Sequence, residues 1–85
     1  MITNQGYKKW VSITPSDTVN FVPQGTTDDL CSAIYVGGAG VVVAVQQDGT
    51  TGSFTCIAGQ ILPVKAKRVN STSTTATLLM ALYDI

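Results

Sequence analysis

The side chains able to do chemistry are few. They comprise two cysteines, Cys31 and Cys56, five acids (Asp17, Asp28, Asp29, Asp48 and Asp84) and five cations (Lys8, Lys9, Lys65, Lys67 and Arg68). There is no histidine, which removes the commonest general base near neutral pH and the commonest zinc ligand. Two cysteines and scattered aspartates offer no metal-ligand spacing. Asp28 and Asp29 could in principle act as a carboxylate pair, but neighbours on a polar loop face water and bond their own backbone. Val36-Gly37-Gly38-Ala39-Gly40 is glycine-rich, yet it lacks the GxGxxG or GxxxxGK spacing of a phosphate loop. Valines follow it instead of a helix, so it reads as a tight strand-to-strand turn. The chain is therefore read as a non-enzyme with no cofactor and no metal site.

Three weaker patterns point toward binding. Lys65-Ala66-Lys67-Arg68 is the one basic cluster. On a strand, Lys65 and Lys67 share a face, either solvated or set against an acidic partner. No aromatic platform interleaves these charges and net charge is zero, so nucleic acid is not an expected partner. Tyr7, Trp10, Tyr35 and Tyr83 could line a sugar-binding face. With a single tryptophan and no polar constellation around it, core or interface packing is the simpler account. Asn70-Ser71-Thr72 fits a glycosylation sequon, but Asn70 equally serves a turn.

The elements that must position these groups are strands. The 85 residues contain no Glu; only 12% are charged and 45% are hydrophobic. Thr and Val, whose branched Cβ suits a pleated surface, stand where a helical protein would use Glu, Gln and Lys. Apolar and turn signals place strands at residues 10–14, 19–22, 31–36, 41–46, 53–57, 61–69 and 74–83, with Asp48-Gly49 as a hairpin turn. Residues 76–83 also have the composition of a short helix, but an isolated helix of that length is marginal. The expectation is an all-β fold: a small single-domain β-sandwich or barrel, jelly-roll-like, of about seven short strands over residues 10–85. Residues 1–9, polar and aperiodic, form a flexible arm. No apolar run is long enough to span a membrane, and residues 1–6 show no secretory h-region. With two cysteines and a reducing compartment, free buried thiols are expected, a bridge requiring neighbouring strands.

The most informative feature is a missing alternation. A strand with one solvated face alternates apolar and polar residues; residues 41–45 and 78–82 are apolar on both faces. A domain of this size has a core for one face only, so the other meets a neighbouring subunit. In the last strand, Leu78, Met80 and Leu82, three flexible aliphatics, are expected in the core. Leu79, Ala81 and Tyr83 are expected at a subunit interface. Tyr7, Lys8, Lys9 and Trp10 of the arm, with Lys65 and Lys67, complete the candidate subunit or capsid contacts.

The stretch from Ile13 to Tyr83 resembles a known family. The marks are Ile13-Thr14-Pro15-Ser16-Asp17, Ala33-Ile34-Tyr35-Val36 running into the glycines, Phe54-Thr55, Gly59-Gln60-Ile61-Leu62-Pro63-Val64, Lys67-Arg68-Val69 and Thr74-Thr75-Ala76-Thr77. Their order resembles that of the spike base proteins of gene transfer agents and related tailed bacteriophages. The resemblance implies a structural protein on the capsid exterior, assembled in a bacterial cytoplasm, and the doubly apolar strands imply that it is a homo-oligomer. It would dock on the major capsid protein and carry a spike or fibre. It carries over no catalytic residue. A neck or tail component and a carbohydrate-binding attachment module stand as alternatives, the latter separable by glycan binding of the isolated domain.

Overall fold

A computed structural model describes residues 7–24 and 28–84. The chain forms seven strands: β1 (Lys9–Ser12), β2 (Ala33–Gly38), β3 (Gly40–Val45), β4 (Thr51–Cys56), β5 (Gln60–Leu62), β6 (Arg68–Val69) and β7 (Thr77–Tyr83). All pairings are antiparallel. They make a four-stranded sheet in the order β1-β7-β2-β5 and a three-stranded sheet in the order β4-β3-β6. The fold is the expected all-β one, and no helix occurs among the described residues. The residues that could have formed a C-terminal helix instead form β7, held on both edges by β1 and β2.

Local sequence explains most junctions. Asp48 and Gly49 close the β3–β4 hairpin: Gly49 takes φ 94°, and Asp48 Oδ1 accepts the Thr50 N–H at 3.0 Å. The glycine-rich run, read as a tight strand-to-strand turn, is a corner at which one residue, Ala39, carries the chain from one sheet to the other. Gly40 makes that corner possible. Its φ is 153°, and a Cβ there would lie 2.6 Å from the backbone nitrogen of Ala76. Two expected strands differ. Residues 61–69 divide into β5 and β6 in opposite sheets, because Pro63 lacks the N–H that would continue the first ladder. Residues 19–22 form no strand; the Phe21 N–H donates to the Lys67 carbonyl at 2.8 Å and tethers the segment alongside β6. Lys9 opens β1 and the Lys8 N–H donates to the Tyr83 carbonyl, so the last two residues of the expected arm are joined to the sheet. Residues 1–6 of that arm lie outside the described residues.

The core lies between the sheets. Ile34, Val36, Leu62, Leu79, Ala81 and Tyr83 of the larger sheet meet Val42, Ala44, Cys56 and Val69 of the smaller one. This inverts the expectation for β7. Leu79 (4% exposed), Ala81 (1%) and Tyr83 (4%) are core, whereas Leu78 is 78% exposed. The reason is shape. Ala81 pairs with Val11 on one side and Ile34 on the other, and between two branched side chains at a closely packed inner face only a small residue fits. Met80 and Leu82, on the outer face, are half-buried. On β3, by contrast, both faces are covered within the chain. Val43 and Val45, on its outer side, are 7% and 0% exposed, with Val45 set between Thr51 and Arg68 in register.

Candidate assembly surface

Cross-strand partners share a face, so the register composes the outer surface of the four-stranded sheet. Leu82 stands between Trp10 and Ala33, and Met80 between Ser12 and Tyr35, with Ile61 beyond Tyr35. The Ser12 hydroxyl approaches Met80 Sδ at 3.5 Å. Leu78 continues the same face of β7. Trp10 is 61% exposed, Ile61 48% and Tyr35 36%. No charged side chain interrupts these rows, so four strands that are not consecutive in the chain jointly present one apolar, uncharged face.

The cations lie at two separate places, the start of β1 and the segment that leads from β5 into β6. Lys8 and Lys9 are exposed at the start of β1, beside Trp10, and Tyr7 is half-buried. Lys65 is exposed on the segment crossing from β5 to β6, where it rims a hollow of about 230 Å³ that also includes Asp28 and Asp84. Lys67 is half-buried, and its ammonium donates to the Gln47 carbonyl at 3.5 Å. Lys8, Lys9 and Trp10 are thus consecutive at the start of β1, with Lys9 and Trp10 on opposite faces of the strand, while Lys65 and Lys67 lie apart from them on the crossing segment. Lys65 and Lys67 flank the buried Ala66, the alternation expected, although the segment is not in a ladder. Arg68 is used within the fold. Its Nη1 donates to Asn20 Oδ1 at 3.0 Å and its Nε to Asn70 Oδ1 at 3.2 Å, while Asn20 Nδ2 donates to Asp29 Oδ2 at 2.9 Å. This network ties the loops around β6 and was invisible in the sequence, where its members are up to fifty residues apart.

The remaining reactive groups hold structure together. Asp17 accepts from the Thr72 backbone N–H at 3.0 Å and from its hydroxyl, and these bonds lower its pKa. Asp48 is lowered in the same way by Thr50. Cys31 and Cys56 are free and buried, and burial raises both thiols. Burial also raises Tyr83, reinforced by the nearby Cys31 and Asp29. Among the described residues no group of three acid or cysteine side chains could hold a metal. The residues that compose the outer face but were not assigned to it from sequence are Tyr35, Ile61, Leu78, Met80 and Leu82. The apolar doubling of residues 78–82 was the signal for Leu78, Met80 and Leu82; its parity was not.

No protein-family model and no curated protein matches the chain. Among solved structures, a chain from the capsid of a native gene transfer agent (GTA) particle, determined with C5 symmetry, superposes with a TM-score of 0.76. The two are 33% identical, and the match covers 89% of this chain and 82% of that one. Agreement over nearly the whole of both chains, in sequence as well as topology, places this chain in the same family as that component of the gene transfer agent capsid.

Proposed function

We propose that this protein is a structural subunit on the exterior of a phage-like head, a spike base or decoration protein set between the major capsid protein and a spike or fibre. The observation that carries the reading is the near full-length likeness to a chain of a GTA capsid. The surface is consistent with it: an uncharged apolar sheet face for contacts between copies, and peripheral cations for contacts with other proteins. Lys8 and Lys9 with Tyr7 at one edge, and Lys65 and Lys67 on the crossing segment, would meet acidic groups of the head, where opposite charge favours correct orientation more than raw affinity. Assembly would take place in the cytoplasm of the bacterial host.

The test is to delete the coding sequence and image purified particles. Heads of normal size lacking a protruding surface density are expected, with the density restored when the protein is added back. Unchanged particles, or a defect confined to the neck or tail, would overturn the proposal. Restoring the protein with Lys8, Lys9, Lys65 and Lys67 all changed to Glu should give a folded subunit that no longer attaches.

A further inference from the structure

The outer face of the β1-β7-β2-β5 sheet has a feature near the start of β7 that intrachain packing does not explain. Leu78 is 78% exposed and sits at φ 56°, a left-handed conformation that a branched, bulky side chain rarely takes. The conformation also constrains the neighbouring strand. A Cβ at Gly37 would lie 2.6 Å from Leu78 Cβ and 2.7 Å from its carbonyl oxygen. The chain thus combines an unfavourable backbone conformation and a bare glycine at one site, and the result is a large apolar side chain held out into water. Strain of this kind is retained where function uses what it presents.

We propose that this face is the contact between copies of the chain and that Leu78 is its anchor; the proposal rests on the reading of the protein as an assembled capsid-surface subunit. Three properties favour a second copy as the occupant. First, the face is uncharged, as the cores of permanent same-chain interfaces are, whereas contacts that form and dissolve are about as polar as ordinary surface. Second, net charge is zero, so copies meet without mutual repulsion. Third, area fits. Trp10, Tyr35, Ile61 and Leu78 leave roughly 450 Å² of side chain in water, taking ~150–250 Å² for each whole side chain. That is as large as the biggest apolar patch of a typical monomer and about half of what each partner gives to a standard interface. Met80 and Leu82, half-buried on the same face, supply part of the remainder. A face of this kind left open on a free subunit would promote aggregation, and contact between copies covers it as soon as the chain folds.

The single tryptophan makes the face observable without mutation. Sedimentation velocity, circular dichroism and iodide quenching of Trp10 are measured on the intact protein and on the variants Leu78→Asn, Ile61→Asp and, as a control, Ser53→Asp, whose exposed side chain lies on β4 of the other sheet. Asn tolerates the left-handed conformation, so Leu78→Asn removes the anchor while relieving the backbone. The intact protein should sediment as a multiple of 8.9 kDa with Trp10 shielded. Leu78→Asn and Ile61→Asp should weaken self-association by about tenfold or more, giving monomers with native circular dichroism and quenchable Trp10. Ser53→Asp should assemble normally. If the intact protein assembles while Trp10 stays fully quenchable, or if both face variants keep the intact mass, the face assignment is wrong and the functional proposal survives. If the intact protein is monomeric throughout, contact between copies itself is refuted.

Discussion

Leu79→Ala tests the parity of β7 directly. Leu79 is 4% exposed on the inner face, paired with Val36, itself 0% exposed. Its strand is hydrogen-bonded on both edges, so the backbone cannot close over a void. Truncation therefore loses the transfer free energy of the removed carbons and leaves a cavity, together about 3 kcal/mol. A chain of this size has a net stability of ~3–5 kcal/mol from its own core, so the loss takes most of it. With a urea m-value of about 1 kcal/mol/M, the midpoint should fall by about 3 M. Leu82→Ala, on the half-buried outer face, should lower it by about 1 M or less. Both are read by far-UV circular dichroism at one fixed, dilute subunit concentration, since assembly adds stability by mass action. A Leu79→Ala midpoint within about 0.5 M of the parent, or a larger shift for Leu82→Ala, would mean that β7 presents the opposite face to the core.

Three further outcomes follow from other sites. Gly40→Val should yield insoluble or unfolded protein, because φ 153° is strained for any side chain and the Cβ would meet Ala76 at 2.6 Å; a soluble variant with native circular dichroism would show that the corner can be rebuilt. The Cys31 and Cys56 thiols, raised by burial, should resist a thiol reagent at pH 8 until urea opens the sandwich, and rapid labelling of the native protein would contradict their burial. Hydrogen bonds from Thr72 and Thr50 hold the carboxyls of Asp17 and Asp48 below the ordinary aspartate range, so their stabilisation is complete above the unfolded pKa and is lost as pH falls through the folded values. The urea midpoint should accordingly hold from pH 7 to about 5 and drop below about 4. The double variant Asp17→Asn, Asp48→Asn should show a smaller drop, and an equal one would assign the acid sensitivity elsewhere.

What the sequence by itself determined was the class of fold and the existence of a surplus apolar face. Branched residues, the absence of Glu, regular turn signals and Asp48-Gly49 specify short antiparallel strands, since each acts through local backbone preference. The doubled apolar pattern at residues 78–82 exceeds what so small a core can absorb, and that too is a matter of counting along the chain. Which side faces inward is another matter. A period of two names two faces of β7 and does not rank them; the choice falls to the residues across the strand. Val11 and Ile34 flank Ala81, and both come from elements far away in sequence. Similarly, the valines of β3 had the same doubled pattern, yet their outer side is covered within the chain. The outer face of the larger sheet gathers Trp10, Tyr35, Ile61 and Leu78 only because the strand order is β1-β7-β2-β5. The exposure of Leu78 follows from a left-handed backbone opposite Gly37. Long-range register decides these points, and register is a property of strand pairs that no single strand carries.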